Sequence, residues 1–443
     1  MPNAALILGY GVTGKALAEY FHVAQHPYYI LEDGDIVLPT SPFCRGRVDG
    51  QNMPAEVNAI FPSPGVPTTH PALLWAAEHN VPLVSELDFA ATLLCAQPHF
   101  IGVTGTNGKS TTVKLIHALL TRAGMSTGLF GNIGSPLINA LQEVRKDYYV
   151  IEESSYQLEQ IQTLHHQFAV CLNVTDDHFD RHMNLRDYAR VKALLLKNST
   201  AADHFIYNHD DHECFLMSQK TSAQRLPFSL VATFETGGFV DKSDLVIAFA
   251  EHAGGRQFRF PIAECTLKGL HNLENMLAAL LVVLKISHTD QAVAAYRQTL
   301  GDFVALPHRV EKVATLNQVD YYDDSKGTNV GAVVMALASF EGPVILIAGG
   351  KDKMGDYTPL KGLVKGKVKT LILLGEAKDK MAMVFQDDTQ VEKVANMREA
   401  VALAKKIAVP GDTVLLSPAC SSFDQYKNYH ERGLDFQDCV RSQ

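Results

Sequence analysis

The segment from Ile101 to Thr112, IGVTGTNGKSTT, contains the residue types that bind a chain of phosphates. Glycines before a Gly-Lys-Ser triplet, between an apolar strand and a helix, form a nest of backbone N–H groups around phosphate oxygens. We therefore expect Lys109 to contact the β- and γ-phosphates of a nucleotide and Ser110 to bind Mg²⁺. The strict G-x-x-x-x-G-K-S spacing is not met, because Val103 stands at the position of the first glycine. A glycine-rich turn before an ordinary helix is the alternative, but the Lys-Ser-Thr that follows favours a nucleoside triphosphate site.

A second glycine-rich turn lies at the beginning of the chain. The strand predicted at Ala4–Leu8 leads directly into a G-x-G-x-x-G sequence at residues 9–14, and a helix-like segment follows. A second predicted strand, Tyr28–Leu31, ends in Glu32 and Asp33, about 20 residues further on, as in dinucleotide-binding folds. An NAD-dependent oxidoreductase is therefore one hypothesis. The same turn offers N–H groups to any diphosphate, including that of a UDP-sugar, so the motif alone does not identify the ligand.

Acidic residues and histidines follow the next predicted strands. Glu152 comes directly after a strand predicted at 148–151, where a Mg²⁺ ligand is expected beyond a phosphate loop. His178 and His182 are four residues apart and would share one face of a helix, which makes a zinc hydrolase conceivable. Phe179 replaces the glutamate of the zinc signature, however, and Mg²⁺ fits the upstream loop better. A purely structural histidine cluster remains open.

The last third of the chain alternates predicted strands and helices, which indicates another open, mostly parallel sheet. Its strands are predicted at Asp320–Tyr322, Val344–Ala348, Leu371–Leu374 and Thr413–Leu416. Since ligands of such sheets lie at the carboxyl ends of strands, the polar loops that follow are candidate site segments. Before this block, the segment from Lys268 to Asn275 is predicted to open a long apolar helix that runs through Leu284. Asn272 and Asn275 at its start either cap this helix or contact a purine base.

The composition limits the class of protein. The length of 443 residues indicates about three domains at the usual size. The formal net charge of −9 argues against binding nucleic acid over a broad surface. Seven cysteines without a C-x-x-C pair indicate reduced thiols in a cytoplasmic protein. The start of the chain lacks the charged region of a signal peptide, and the apolar run from Met276 to Leu284 is too short to span a bilayer. We expect neither nucleic acid nor a membrane as a partner.

Ordered motifs over nearly the whole chain carry a resemblance to a known family. They are GTNGKST, FGNIG, IEESSYQLE, NVTDDHFDRH, GLHNLEN, LPHR, DDSKGTN and SPACSSFDQYKNYHERG. Together they resemble the muramyl (Mur) ligases, the ATP-dependent amide ligases of peptidoglycan precursor synthesis. The last motif, with DDSKGTN and GGKDK, is similar to members that add D-glutamate to UDP-N-acetylmuramoyl-L-alanine. The alternatives are a sibling Mur or folylpolyglutamate-type ligase with another acceptor, and a regulatory protein that binds ATP without turnover.

The resemblance implies an α/β fold with three domains. Residues 1–95 would form a Rossmann-like UDP-sugar-binding domain, and residues 96–304 a central ATP-binding domain with a P-loop ATPase-type parallel sheet. Residues 305–443 would form a C-terminal, Rossmann-like domain that binds the amino acid. ATP and two Mg²⁺ ions would be the cofactors, and we expect a monomer in the cytoplasm.

The resemblance also implies roles for individual residues. ATP would be bound by Gly105, Thr106, Asn107, Gly108, Lys109, Ser110, Thr111, Asn272, Arg309 and Asp324. The UDP-sugar would be bound by Val12, Thr13, Ser63, Gly65, Asn132 and His178, and D-glutamate by Thr328, Lys353, Ser422 and Tyr429. Mg²⁺ would be bound by Ser110, Glu152, His178 and Lys192, and the catalytic residues would be Lys109, His178, Lys192 and Lys326. Three positions depart from the family: Glu153 stands where an apolar residue is more usual, Tyr429 where phenylalanine is familiar, and Asp33-Gly34 where a Thr-Arg pair is frequent.

The chemistry of amide formation explains why such a site needs cations. A carboxylate is a poor electrophile, so ATP first phosphorylates it, and Mg²⁺ and Lys109 neutralise the charge that accumulates on the phosphoryl oxygens. A carbamate on Lys192 would supply oxygen ligands, the type that Mg²⁺ prefers. Since free lysine has a pKa of about 10.4, only about 0.1% or less of it is neutral at pH 7, so carbamylation requires local help.

Overall fold

Three sheets, each formed by a consecutive part of the chain, organise the structure, which is a computed structural model. It describes residues 3–50, 52–94, 98–179, 181–250, 255–304, 306–352 and 355–442. In each sheet most neighbouring strands are parallel, and helices connect them. The predicted α/β class with parallel-rich sheets is confirmed.

The first sheet consists of four parallel strands. They are β1 (Ala4–Leu8), β2 (Tyr28–Leu31), β3 (Cys44–Arg47) and β4 (Val57–Pro62), in the order β3-β2-β1-β4. The helices of this part are α1 (Val12–Val23), α2 (Pro71–Glu78) and α3 (Glu86–Leu93). All of β1 is buried, and Gly9, with a φ of 90°, turns the chain at its end towards α1. The bounds predicted for β1 and β2 are confirmed.

The second sheet has nine strands and an antiparallel edge. The strands are β5 (His99–Thr104), β6 (Thr127–Gly131), β7 (Tyr148–Glu152), β8 (Phe168–Cys171), β9 (His204–Asn208), β10 (Gln224–Ser229), β11 (Gly237–Asp241), β12 (Asp244–Phe249) and β13 (Arg256–Pro261). Their order is β13-β12-β11-β10-β9-β8-β5-β7-β6, and β12 is antiparallel to both of its neighbours. The helices are α4 (Lys109–Arg122), α5 (Ser155–Leu158), α6 (Leu185–Lys192), α7 (His212–Ser218), α8 (Leu270–Ile286) and α9 (Asp290–Asp302), with 3₁₀ helices at Leu137–Gln142, Ala193–Leu196 and Ile262–Glu264.

Helix α8 lies in the main core of this part of the chain. Every residue from Met276 to Leu284 has no measurable exposure, as expected for a helix that is apolar on all sides. It packs against α4 and against β9 to β12. Helix α4, which follows the phosphate loop, is fixed by its contacts with α8 and with strands β5, β6 and β7.

The third sheet is parallel except at one edge. Its strands are β14 (Glu311–Leu316), β15 (Val319–Asp323), β16 (Val344–Gly349), β17 (Val368–Leu374), β18 (Gln390–Lys393) and β19 (Thr413–Leu416), in the order β14-β15-β19-β16-β17-β18. Only β14 pairs antiparallel among these described strands. The helices are α10 (Val330–Ala338), α11 (Lys361–Lys367), α12 (Lys378–Phe385), α13 (Met397–Ile407) and α14 (Tyr429–Arg441), with a 3₁₀ helix at Thr358–Leu360.

The segment around His178 and His182 is not a helix in the described residues, so the zinc alternative, which required both histidines on one helix face, lacks that face. Helix α6 begins only at Leu185, and His178 has a φ of 56°, in the left-handed region. A residue in that region does not continue a right-handed helix. His178 Nδ1 lies 3.0 Å from the Tyr156 hydroxyl, whereas His182 Nε2 lies 2.9 Å from the Ser155 hydroxyl. This excludes a zinc site of the helical H-x-x-x-H type.

Helix α3 connects the first part of the chain to the second. The Glu86 carboxylate accepts a hydrogen bond from the backbone N–H of Ile138 at 2.6 Å. Two residues on, the Asp88 carboxylate accepts from the backbone N–H groups of residues 162 to 164, at 2.7 to 2.9 Å. The division into residues 1–95, 96–304 and 305–443 stays a proposal, since α3 belongs to the first range by sequence but makes these bonds to the second.

Two further observations concern the chain as a whole. No helix in the described ranges is long and apolar enough to cross a membrane. The described cysteines, Cys44, Cys171, Cys214, Cys265, Cys420 and Cys439, are all free thiols.

Candidate active site

The predicted phosphate loop connects strand β5 of the second sheet to the N-terminus of α4. Gly105 and Gly108 have φ values of 148° and 89°, which only glycine adopts without strain. A Cβ atom at Gly108 would also collide with the side chain of Asn275 on α8. Lys109 is the first residue of α4. The loop thus presents the backbone N–H groups of a helix N-terminus, which attract anions.

Two lysines meet at one carbonyl group of this loop. Lys109 Nζ donates to the carbonyl oxygens of Gly105 at 2.7 Å and Thr106 at 2.9 Å, and Lys192 Nζ donates to Gly105 at 3.0 Å. Burial lowers the pKa of Lys109, and the charge of Lys192 lowers it further. Burial also lowers the pKa of Lys192 to about 8. Lys192 Nζ lies 4.3 Å from the centre of the Tyr188 ring, a cation–π contact on its own helix.

A third lysine reaches this loop from the third sheet. Lys326 Nζ donates to the Ser110 hydroxyl at 3.1 Å and lies 5.2 Å from the centre of the Tyr429 ring. Burial lowers its pKa to about 8, and the charge of Arg309 adds to this shift. The predicted catalytic lysines, Lys109, Lys192 and Lys326, therefore converge on one loop although they come from distant parts of the chain.

Asn329 joins the same two parts of the chain. Its Nδ2 donates to the side-chain oxygen of Asn107 at 3.1 Å and to the Asp177 carboxylate at 3.0 Å. The Asn107 amide returns a hydrogen bond to Asn329 Oδ1 at 3.3 Å. His178, which follows Asp177, lines a cavity together with Thr328. The predicted His178 site thus lies at the junction of the central and third sheets.

Glu152 supplies a buried acceptor close to these cations. It is 2% exposed, and its Oε1 accepts from Asn132 Nδ2 at 2.9 Å. Its Oε2 is buried without a hydrogen-bond partner among the described residues. A buried carboxylate oxygen is costly to leave without a partner, and oxygen ligands are those that Mg²⁺ prefers. The residues present, Glu152 with the nearby Ser110 hydroxyl, therefore fit a Mg²⁺ ion.

The residues predicted to bind adenosine and phosphates lie around the same loop. Asn272 lies in the first turn of α8 and donates to the Lys268 carbonyl oxygen at 2.8 Å. The helix is preceded by Gly269, so the prediction that an asparagine caps it is wrong. Burial lowers the pKa of Arg309, whose Nε has no hydrogen-bond partner among the described residues. The Asp324 carboxylate accepts from the Ser417 hydroxyl at 2.6 Å, and burial raises its pKa to about 7.

The residues predicted to bind D-glutamate follow strands of the third sheet. Thr328 lies in the loop after β15, Ser422 is buried in the loop after β19, and Tyr429 begins α14. The backbone carbonyl of Tyr429 accepts from the Ser325 hydroxyl at 2.7 Å, which brings the ends of β15 and α14 together. Lys353 lies outside the described residues.

The residues predicted to bind the UDP-sugar fall into two groups. Val12, Thr13, Ser63 and Gly65 line a cavity of about 430 Å³ at the carboxyl end of the first sheet, with Glu32 and Asp33 on the same wall. Asn132 and His178 lie instead beside Glu152 and Asp177. A long ligand with a nucleotide at one end and a reacting group at the other would require this separation.

Sequence reasoning gave no role to two residues that hold the site together. One is Asn329, and the other is Arg432, which is 2% exposed. The Arg432 guanidinium donates to the Ser325 hydroxyl at 3.0 Å and to backbone carbonyls of residues 325, 420 and 421 at 2.9 to 3.2 Å. Both lie inside the motifs DDSKGTN and YHERG. A sequence motif alone does not show whether a residue contacts a ligand or holds a loop in place.

Comparison with known proteins places two long segments in one family. Residues 103–283 match the family described as Mur ligase middle domain, and residues 308–420 match the Mur ligase, glutamate ligase domain. The UDP-N-acetylmuramoylalanine–D-glutamate ligase of Syntrophotalea carbinolica is 39% identical over 447 residues, covering 99% of this chain and 97% of that protein. The protein of the same name from Geotalea uraniireducens is 43% identical over 385 residues, covering 86% of this chain and 83% of its own length.

A solved structure shares the fold at low sequence identity. The murein peptide ligase of Psychrobacter arcticus superposes with a TM-score of 0.57, covers 100% of this chain and 99% of its own, and is 16% identical.

Proposed function

This chain belongs to the Mur ligase family, and we propose that it joins D-glutamate to UDP-N-acetylmuramoyl-L-alanine with cleavage of ATP to ADP and phosphate. The observation that carries the proposal is the convergence of Lys109, Lys192 and Lys326 on the phosphate loop, beside the buried carboxylate of Glu152. Cationic Lys109 and Lys326 around a helix N-terminus, with Glu152 and a carbamylated Lys192 as oxygen ligands for Mg²⁺, suit the transfer of a phosphoryl group.

The first step would make the alanyl carboxyl group reactive. Its oxygen attacks the γ-phosphorus of ATP, the bond to the β-phosphate oxygen breaks, and an acyl phosphate and ADP result. Both reactants are anions, so they approach only where positive charge is held in place. Lys326 donates to the hydroxyl of Ser110, the residue after Lys109. Arg309 lies close enough for its charge to lower the pKa of Lys326. We propose that these three groups neutralise the negative charge on the phosphoryl oxygens.

The second step would form the amide. The neutral amine of D-glutamate attacks the acyl carbon, phosphate leaves, and one proton is released. We place D-glutamate in the cleft between the central and third sheets, against Thr328, Ser422 and Tyr429. From the family resemblance we also expect Lys353 to bind it. Thr328 and His178 line the same cavity, which is about 30 Å³ in this structure and would have to widen to admit the amino acid.

We propose that Ser110, Glu152, His178 and Lys192 hold two Mg²⁺ ions. When bound, Mg²⁺ would offset negative charge on the phosphate oxygens. A carbamate forms when CO₂ adds to a neutral amine, with loss of a proton. With a pKa of about 8, roughly 10% of Lys192 is neutral at pH 7, about two hundred times more than for free lysine with its pKa of about 10.4. Burial of Lys192 thus supplies the local help that carbamylation requires.

The remaining contacts follow the two cavities. We propose that the loop from Gly105 to Thr111 binds the phosphates of ATP, with Asn272 at adenine, Arg309 at phosphate and Asp324 at ribose. The uridine diphosphate would occupy the cavity lined by Val12, Thr13, Ser63 and Gly65, and the muramoyl end would reach Asn132 and His178. We further propose that the protein acts as a cytoplasmic monomer in peptidoglycan synthesis. The free thiols of the described cysteines support a reducing compartment.

Phosphate release from ATP tests the proposal directly. The full chain is incubated with ATP and Mg²⁺, with UDP-N-acetylmuramoyl-L-alanine and D-glutamate added together or singly. We expect release only when both are present, and a panel of other amino acids, including L-glutamate, to give none. Release with another acceptor would identify a sibling ligase, and the absence of release in every mixture would leave a nucleotide-binding protein without turnover.

A further inference from the structure

A buried pair of titratable side chains lies directly behind the candidate metal site. His166 Nε2 is 3.2 Å from Glu153 Oε1, and both side chains are completely shielded from solvent. The proposed function gives this pair no task. Glu153 is also a position at which the family resemblance leads us to expect an apolar residue, so its carboxylate is a feature of this chain.

The pair bridges the two backbone segments that carry the acidic metal ligand and the buried lysine. Glu153 follows Glu152 at the end of β7. On the other side, His166 Nδ1 lies 3.1 Å from the carbonyl oxygen of Leu195. A carbonyl oxygen only accepts, so Nδ1 carries a proton and donates to it. Leu195 lies in the 3₁₀ turn that continues α6, three residues beyond Lys192.

The main chain around Glu153 is itself fixed to the phosphate loop strand. Its backbone N–H donates to the Val103 carbonyl at 3.0 Å, and its carbonyl accepts from the Thr104 hydroxyl at 2.9 Å. The backbone of Glu153 is therefore fixed to β5 and β7. Its side chain contacts His166, which in turn contacts Leu195, so the pair connects these strands to the turn that follows the helix of Lys192.

The neighbouring strand leaves room for the pair at Gly102. A Cβ atom there would lie 2.6 Å from His166 Cδ2 and 2.8 Å from Glu153 Oε2. Glycine weakens a strand interior unless something approaches its backbone closely. The glycine, the glutamate and the histidine thus form one arrangement across β5, β7 and the segment before β8.

We propose that Glu153 and His166 are positioning residues that hold the strand end of Glu152 and the helix of Lys192 at the separation required by two bound divalent cations. The proposal rests on the metal assignment of the proposed function. Partners that orient metal ligands from behind typically contribute 10- to 100-fold to metal affinity. Neither Glu153 nor His166 contacts the metal itself in this proposal.

The adjacent histidine provides a matched control. His165 Nε2 lies 2.7 Å from the Asp203 carboxylate, so it forms the same kind of pair, but its side chain is 40% exposed. Asp203 lies immediately before β9, and neither partner contacts β7 or the 3₁₀ turn of Leu195 in the described hydrogen bonds. A His165→Ala variant therefore loses a His–carboxylate pair without removing the contact between Glu153 and His166.

The test measures Mn²⁺ binding to the full chain by electron paramagnetic resonance, in the presence of a non-hydrolysable ATP analogue. We expect Glu153→Leu/His166→Ala, which removes both polar side chains of the pair and the donor to the Leu195 carbonyl, to bind Mn²⁺ about 10-fold more weakly. Glu153→Gln, whose amide can still donate to or accept from the imidazole, should restore affinity to within about twofold of the wild type. His165→Ala should bind Mn²⁺ with the affinity of the wild type. All three variants should bind UDP-N-acetylmuramoyl-L-alanine with the affinity of the wild type.

Wild-type Mn²⁺ affinity in the folded double variant would overturn the positioning role. The same conclusion would follow if His165→Ala weakened Mn²⁺ binding as strongly, because the effect would then be general destabilisation. If the wild-type chain bound no Mn²⁺ with nucleotide, the metal assignment and the positioning role would both be wrong. A wild type that binds Mn²⁺ as expected but does not use D-glutamate would overturn the substrate proposal alone.

Discussion

The two glycine-rich turns of this chain share a backbone design but differ in charge. In both, a buried strand ends in a glycine with positive φ and a helix N-terminus follows, at Gly9 after β1 and at Gly105 after β5. The first turn faces an acidic wall, where the Glu32 carboxylate accepts from the Tyr10 N–H at 2.6 Å. The second turn is surrounded by Lys109, Lys192 and Lys326.

Under the proposed function, this difference distinguishes a turn that binds a diphosphate from a loop at which a phosphoryl group is transferred. Backbone N–H groups at a helix N-terminus bind a diphosphate without any cationic side chain. A phosphoryl group that leaves its partner needs further charge, because its oxygens become more negative during the transfer. Under the proposed function, Lys109 and Lys326 therefore lie at the loop where the phosphate bond would break, although the net charge of the chain is −9. Substitutions in the two turns should then have different kinetic signatures.

The largest effect is expected at Lys109. Lys109→Ala removes the ammonium group that donates to Gly105 and Thr106 in the phosphate loop. We expect acyl-phosphate formation to fall about 10³-fold, the upper range for losing one group that stabilises transition-state charge. Binding of UDP-N-acetylmuramoyl-L-alanine, measured by calorimetry, should survive, because the proposed uridine site lies at the first turn. Joint loss of both properties in a folded variant would mean that the two turns are not separate sites.

Lys192 should show the next largest effect. Lys192→Ala removes the amine whose burial favours carbamylation, and we expect about a 10²-fold loss of ligase activity. Added short carboxylic acids, such as acetate or formate, should restore part of it by providing oxygen ligands in the vacated space. Full activity without any additive would show that no carbamate is needed. A matched Lys197→Ala variant, on the same segment but bonded to the Gln162 side chain, should not respond to carboxylates.

The sequence predicted the local chemistry better than the long-range geometry. Apolar runs and glycine positions placed β1, β2, β19 and the phosphate loop, because strand period and turn chemistry are local properties. Local reasoning left the backbone at His178 and His182 open: their spacing would place them on one face only of a helix, which the φ of His178 rules out. A backbone in the left-handed region is fixed by tertiary contacts, which a histidine spacing does not reveal.

The convergence of the site also lay beyond local patterns. The contact between Lys326 and Ser110 joins residues 216 positions apart, and that between Asn329 and Asn107 spans 222. Such contacts depend on how separate sheets pack. Family resemblance named most of these residues, but it gave no reason for Glu153 or His166, whose pairing appears only when β5, β7 and β8 lie side by side.

A smaller effect is expected at the first turn. The Ser63 hydroxyl donates to the Gly9 carbonyl at 3.1 Å and so holds the glycine turn in its open shape. Ser63→Ala removes one hydrogen bond, worth about 1 kcal/mol, which corresponds to roughly a fivefold rise in the KM for the UDP-linked substrate. The turnover number and the KM for ATP should not change. A fall in turnover instead would show that this turn takes part in phosphoryl transfer.

The smallest effect on activity is expected at the connection between the two regions. Burial raises the pKa of Glu86 to about 7, against about 4.3 in an unfolded chain, so the folded protein binds the extra proton between these values. The stability that this proton gives is present below pH 4.3 and is lost as the pH rises through 7. Glu86→Gln keeps an oxygen for the Ile138 N–H without the charge, so its stability relative to the wild type should grow from pH 5 to pH 8, towards about 3 kcal/mol.

Urea unfolding at the two pH values measures this difference, and Asp88→Asn on the same helix is the control. Asp88 accepts three backbone N–H groups, so its amide variant loses acceptor capacity and should be less stable than the wild type at both pH values. The KM values of Glu86→Gln for ATP and for the UDP-linked substrate should match those of the wild type. A change in only one of them would mean that α3 transmits the ionisation of Glu86 to one turn, and the two sites could then no longer be treated as independent.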